Sequence, residues 1–260
     1  MTQTALQAYC FSKVFEPEPA KVMQFDRHYL LYSARGAIRL EAEDRNWVLP
    51  PSRAAWIPAD TEIRIEITHE VDCCSVLYHK DFVDSPVTSC QVLTLSPIAR
   101  EMILHTRRWG PELPALDDHA LSFFRTLAGT CAELAATPSE VWTPRGKSRA
   151  MQKALAFTQD HLATDCTFAD VAKAAGQSTR SLARSFASEA GMTWRQMQRR
   201  MRMIRALELL SNVEDRVLNV AFDVGYNSQS SFNRAFREFS GYSPGEFRAR
   251  YYSSDPGPGA

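Results

Sequence analysis

Val220-Ala221-Phe222-Asp223-Val224-Gly225-Tyr226-Asn227-Ser228-Gln229-Ser230-Ser231-Phe232-Asn233-Arg234-Ala235-Phe236-Arg237 is the stretch on which the reading of this chain turns. A Val-Ala pair ahead of a glycine predicts a short helix that closes in a left-handed turn. Ser228 is placed to cap a second helix, and Phe232 and Phe236 follow at the i, i+4 spacing of a buried face. The same grammar occurs upstream in Val171-Ala172, Gly176, Ser178, Leu182 and Phe186. The Val-Ala pair and its glycine repeat at an offset of 49 residues, whereas Phe186, Gly191 and Thr193 repeat as Phe236, Gly241 and Ser243 at an offset of 50. One residue is therefore inserted in the second turn. Two helices joined by a glycine turn, present twice, predict a double helix-turn-helix.

Working outward, burial of Leu182 and Phe186 in copy one, and of Phe232, Phe236 and Phe239 in copy two, leaves short polar and basic side chains on the opposite faces. Copy one offers Thr179, Arg180, Ala183 and Arg184; copy two offers Gln229, Ser230, Ser231, Asn233 and Arg234. Arginine can bind guanine bidentately, Asn or Gln can pair with adenine, and small residues permit close approach to a groove floor. Ser178, Ser228 and the neighbouring Asn227 suit capping or phosphate contact. Between the copies a helix from Thr193 to Ser211 is expected, with Met201, Ala206, Leu209 and Leu210 touching both units and Arg195, Arg199 and Arg202 on one stripe. Nineteen residues of helix span about 28 Å, near the roughly 34 Å of one duplex turn.

The charge distribution agrees. The 260 residues carry 30 basic and 30 acidic groups, yet residues 1–146 have a net charge of −5 and residues 147–251 a net charge of +6. A basic C-terminal half points to a polyanionic partner, which together with the helix-turn-helix repeat is expected to be double-stranded DNA; RNA binding or scaffolding alone would show no duplex preference and a shallow salt dependence. No long apolar run and no signal-like N-terminus is visible, so a cytoplasmic location and no membrane partner are expected. The six cysteines lack metal-ligand spacing and are expected to be reduced.

The segment from Val220 to Arg237, followed by Gly241-Tyr242-Ser243-Pro244 and Phe247-Arg248, resembles the signature of the AraC/XylS-type transcriptional regulators. The resemblance extends back through Arg202–Leu210, similar to the family's linker helix, to about Ser148, roughly 100 residues in all. It implies a seven-helix domain with two recognition helices in successive major grooves. Carried over position by position, base contacts fall on Arg180, Ala183, Arg184, Gln229, Ser230, Asn233 and Arg234, with Thr179 and Ser228 alongside. Ala183 cannot donate a hydrogen bond, which leaves the two arginines to read bases in the first unit. Trp194 departs from the proline common in the family and bears on how the linker helix begins. The resemblance further implies RNA polymerase as a partner, activation as the commoner sense of control, and homodimerisation.

Upstream, alternation of apolar and charged residues predicts many short strands: Tyr29–Ser33, 37–42, Trp47–Leu49, Ala54–Ile57, the Ile63, Ile65, Ile67 stretch, Cys73–Tyr78 and Val92–Leu95. Ser96-Pro97 predicts a helix start. The expected fold class is α+β multidomain: a cupin-like barrel over 1–95, a helical connection over 96–137, a linker at 138–147, the DNA-binding domain over 148–252 and a disordered tail at 253–260. Trp47–Ala59 resembles the cupin-type effector domains attached to such regulators. A metal-binding cupin needs a His-x-His pair with a Glu and a later His; His28 has Asp26 and Leu30 two positions away, so no metal, no cofactor and no catalytic residue is expected, and a cupin-type enzyme is the weaker alternative. A small-molecule effector is expected in the barrel mouth, lined by Tyr29, Arg39, Trp56 and Arg64. A redox-responsive regulator using Cys73 and Cys74, one thiol in the core and one partly exposed, is the second alternative. The stripe Leu121, Phe124, Leu127, Ala128, Cys131 and Leu134 is expected to pack on the barrel or to pair two subunits.

Overall fold

The structure, a computed structural model, describes residues 6–137, 139, 142–211 and 215–252. Contacts divide the chain into two compact units, Met1–Glu43 with Trp47–Glu140, and Asp44–Asn46 with Val141–Ala260.

The first unit is built on antiparallel strands. β1 (Ala8–Phe15), β3 (Arg27–Arg35), β6 (Arg53–Ile57), β8 (Val71–His79) and β9 (Gln91–Thr94) form one sheet in the order β1-β8-β3-β6-β9. In the second sheet β2 (Glu18–Met23), β4 (Ile38–Ala42), β5 (Arg45–Leu49) and β7 (Ile63–Ile67) run in the order β5-β4-β7-β2. Alternation sends Leu30, Tyr32, Ala54, Trp56, Cys74, Val76 and Tyr78 to one face of the first sheet, where they share a core with α1 (Pro97–His105) and α2 (Asp118–Ala135). Ser96 caps α1 by accepting from Ala99 N, with Pro97 at the first position as expected. The helices are thus part of this unit's core. Phe124, Leu127, Ala128 and Cys131 of the apolar stripe are spent on the sheet, which removes most of that stripe from any subunit interface.

Strands β1 and β2, and a third strand in the linker, escaped the sequence reading. In β1 the buried Ala8 and Cys10 alternate with the half-buried Tyr9 and Phe11, while Val14, on the same face as Ala8 and Cys10, is exposed, so apolar residues stand on both faces and burial does not follow the period. The linker also has more structure than expected: Trp142–Pro144 is a strand (β10), with Arg45 and Arg200 over the Trp142 ring at 4.6 and 5.5 Å. Linker residues 138, 140 and 141 and the tail 253–260 lie outside the described residues.

The second unit is helical: α3 (Arg149–Asp160), α4 (Phe168–Ala174), α5 (Thr179–Ser185), α6 (Trp194–Leu210), α7 (Val217–Asp223), α8 (Gln229–Ser240) and α9 (Pro244–Tyr252). A π-helical turn, Phe186–Ala190, follows α5 without a break. Met151, Leu155, Val171, Leu182, Phe186, Trp194 and Met197 belong to one core cluster around the first helix pair. Val220, Ala221, Phe232, Phe236 and Phe247 are buried around the second. Phe239, expected in that core, is only half-buried.

Candidate nucleic-acid interface

Each copy of the repeat closes its first helix in the same way. Gln177 N donates to Ala172 O and Gly176 N to Lys173 O; Tyr226 N donates to Ala221 O and Gly225 N to Phe222 O. These paired reverse bonds require the left-handed backbone found at Gly176 (φ +68°) and Gly225 (φ +78°). The residue inserted in copy two follows this turn, so it lengthens the approach to the second helix and leaves the turn intact. Ser178 then caps α5 by accepting from Ser181 N, and Ser228 caps α8 by accepting from Ser231 N. Capping consumes acceptor capacity of these hydroxyls in the free protein and places both among the helix-starting groups.

The predicted contact residues divide by environment. Ser178, Thr179, Arg180, Ala183 and Arg184 are exposed at α5, as are Asn227, Ser228, Gln229, Ser230 and Arg234 at the start and first turns of α8. Asn233 is half-buried, with its Oδ1 out of solvent and without a hydrogen-bond partner among the described residues. Among the described residues no ion pair holds Arg180, Arg184 or Arg234. The linker-helix arginines behave differently. Arg199 pairs with Glu238, and Arg205 with Glu208 at 2.6 Å. Arg202 Nε donates to Leu162 O at 3.0 Å and its guanidinium lies 5.9 Å from the Tyr226 ring centroid. The stripe Arg195, Arg199, Arg202 is therefore not a uniform row of free cations: Arg202 ties the first helix-turn-helix to the turn of the second.

The linker helix itself has 17 residues, Trp194–Leu210, about 26 Å long, with Thr193 and Ser211 as its caps rather than its ends. Thr193 and Gln196 make a reciprocal capping box. Trp194 does more here than a proline could, because its Nε1 donates to Thr158 Oγ1 at 3.0 Å and its ring stacks on Phe168 at 5.4 Å. The start of α3 is fixed by Glu189, whose carboxylate accepts from Lys147 N, Ser148 N and Ser148 Oγ at 2.7–2.8 Å. Burial opposes ionisation of Glu189, but these three donors outweigh it and hold the carboxyl below the usual glutamate value.

Residues 171–250 match the family model described as a helix-turn-helix domain. The HTH-type transcriptional regulator NimR of Escherichia coli (strain K12) is 27% identical over 97% of this chain and 90% of its own length. Residues 171–250 are thus a helix-turn-helix domain, and the chain is similar over nearly its whole length to a transcriptional regulator. The HTH-type transcriptional activator RhaS of Escherichia fergusonii is 31% identical over 94 residues, 36% of this chain and 34% of its own length. Among solved structures, ToxT from Vibrio cholerae O395 aligns over 95% of this chain and 99% of its own at 11% identity, with a TM-score of 0.42.

The four residues expected to line an effector pocket do not converge. Tyr29 pairs across the sheet with Ile57 and Leu77, whereas Trp56 pairs with Leu30 and so points to the opposite face, against the helices. Trp56 is fully buried, its Nε1 donating to Ser85 Oγ at 3.1 Å and its ring stacked on Tyr78 at 5.3 Å. Arg39 and Arg64 sit in the second sheet, in register with Glu66 and Glu41. Their neighbours Ile38, Leu40 and Ile63 are buried, so both arginines take the outward face, where Arg39 pairs with Glu66 at 3.2 Å and Arg64 is exposed. The four were grouped by residue type, and the pairing of strands, which decides the face each one takes, separates them.

His28 is buried and its Nδ1 accepts from Ala59 N at 3.0 Å; burial lowers its pKa. Among the described residues no group of three or more His, Cys, Asp or Glu side chains could hold a metal ion. No helix among them is long and apolar enough to cross a membrane. The expectation for Cys73 and Cys74 needs correction: both are buried, on opposite faces of the sheet. Cys73 Sγ contacts Ser75 Oγ at 3.2 Å, whereas Cys74 Sγ lies 3.7 Å from Cys10 Sγ, in the strand that the sequence reading missed.

Proposed function

We propose that this regulator reads its operator with α5 and α8, using Arg180 and Arg184 in the first unit and Gln229, Ser230, Asn233 and Arg234 in the second, with Ser178, Thr179, Asn227 and Ser228 at the phosphate-facing helix starts. The observation that supports this most is selective: Arg180, Arg184 and Arg234 have no ion pair among the described residues, while Arg237 of α8 is paired with Glu246 at 2.8 Å and most of the arginines on the linker helix are engaged. Unpaired guanidinium groups on an exposed helix face are free to exchange water for guanine edges or phosphates without breaking an internal bond.

In this reading the acidic N-terminal unit binds a small-molecule effector and changes the occupancy or polymerase contact of the DNA-binding unit, in the sense of activation, in the cytoplasm and as a homodimer. The likeness to a transcriptional regulator over 97% of the chain supports a role in transcription control for the chain as a whole. No catalytic role is assigned to the strand-built unit. Gel-shift measurements with an operator selected from genomic DNA test the proposal. Arg184→Ala and Arg234→Ala are each expected to cost about 1–3 kcal/mol of specific binding and to relax preference at one or two base positions. Unchanged affinity in both variants removes the assignment. The segment from Ser148 onward is expected to bind DNA without responding to effector.

A further inference from the structure

We propose that Cys10 and Cys74 form an oxidisable dithiol in the N-terminal unit, closed to a disulfide by a hydroperoxide, and that Cys73 takes no part. The two sulfurs lie 3.7 Å apart, in van der Waals contact, and both residues are buried. They come together through sheet register. Ser12 stands opposite Cys74 and Cys10 opposite Val76, which makes Cys10 and Cys74 diagonal neighbours on the face that packs against the helices. A bond of about 2.05 Å asks for an approach of roughly 1.7 Å more. β1 is an edge strand paired within the sheet with β8 alone, and its other side is tied where Cys10 N donates to Trp109 O at 2.7 Å, so the approach falls to rotation of the two thiol side chains together with the small shifts that an edge strand allows.

The surroundings favour attack from Cys10. The hydrogen bond shared with Cys74 pulls the Cys10 thiol below its ordinary value although burial works against it. Cys74 Sγ also reaches Ile103 O at 3.5 Å, and beside it stands the Arg107 guanidinium, itself paired with Asp72 at 2.6 Å and part-exposed. Cys73 differs on both counts: it faces the other way, against Ser75, and burial pushes its thiol up to about 11.

The chemistry balances without a metal or cofactor. The Cys10 sulfur attacks one peroxide oxygen, the O–O bond breaks, and the departing oxygen leaves with the thiol proton as water or an alcohol. Cys10 then carries a sulfenic acid. The Cys74 sulfur displaces its oxygen, which leaves as water with the Cys74 proton, and the S–S bond forms. The thiol pair has lost two electrons and the peroxide has gained two.

The test uses the reduced full chain, a few equivalents of hydrogen peroxide, alkylation of the remaining thiols and peptide mass spectrometry. Two thiols per chain should disappear, reversibly with dithiothreitol, and the tryptic peptide ending at Lys13 should appear linked to the one spanning Ile65–Lys80. Because the second peptide holds both Cys73 and Cys74, the Cys73→Ser variant assigns the sulfur: it should keep the link, and Cys10→Ala should abolish it. Cys74→Ala should do the same, and if that variant does not fold, the Cys10→Ala and Cys73→Ser pair still gives the answer. Loss of the link in Cys73→Ser, or a wild-type chain that retains all its thiols or oxidises without cross-linking, overturns the proposal.

Discussion

Replacing Gly225 by alanine should harm this protein far more than the same change at Gly176, although the two occupy the same place in the repeated motif. Both hold a left-handed backbone, so each alanine costs about 1–2 kcal/mol in local conformation. At Gly176 an added Cβ meets nothing within 4 Å. At Gly225 it would stand 2.3 Å from Leu162 O and 2.7 Å from Arg202 Nη2. The arginine tip can swing away, but the carbonyl belongs to the backbone, and moving it breaks the Arg202–Leu162 bond. Losing a charge-assisted bond adds about 1.5–3 kcal/mol. The expected gap between the variants is therefore about 2–3 kcal/mol, roughly 10 °C in the melting temperature of a unit this size. Thermal and urea unfolding followed through the C-terminal unit would show it. In an Arg202→Ala background the gap should shrink, since part of the interaction is already gone. Equal destabilisation by the two alanines, with or without Arg202, would refute the account of how the two helix-turn-helix units are joined.

Three further outcomes are expected. Arg202→Ala should lower the melting temperature while leaving the salt dependence of operator binding unchanged, because its guanidinium is already committed; a drop in the slope of about one would instead make it a phosphate contact. Trp56→Ala should destabilise the N-terminal unit by about 3–5 kcal/mol, and Arg64→Ala by less than about 0.5 kcal/mol, as measured by urea unfolding, since one is core and the other exposed. Glu189→Gln should destabilise the DNA-binding unit at neutral pH. The folded carboxyl of Glu189 titrates lower than the unfolded one, so its contribution is complete above the usual value near 4.5 and fades as pH falls through the folded value. Melting curves of wild type and variant should converge on acidification, and a difference that persists at low pH would assign the effect to packing.

The helix-turn-helix repeat was legible because its signals are local. A Val-Ala pair, a glycine and a serine cap fix a turn within a dozen residues, and the exposed faces follow from helical period alone. Ser96-Pro97 announced α1 for the same reason. The strand-built unit was less legible. Trp56 reads as a pocket residue until the pairing of β6 with β3 turns it toward the helices, and Tyr29, opposite Ile57 on the adjacent strand, turns the other way. Phe11 and Val14 blurred the period of β1, which hid Cys10 and left Cys73 and Cys74 to be read as a pair merely because they are adjacent in the chain.

From its sequence alone this chain is committed to two duplicated, capped helix pairs on a basic half, because capping, turn chemistry and helical period act over a few residues. Tertiary structure chose which arginines are spent on holding those pairs together and which, as with Arg180, Arg184 and Arg234, are left without an ion pair among the described residues. It also chose which cysteine meets Cys74. Those outcomes depend on contacts between residues such as Arg202 and Leu162, or Cys10 and Cys74, 40 and 64 positions apart, and no local pattern encodes a distance in space across such a separation.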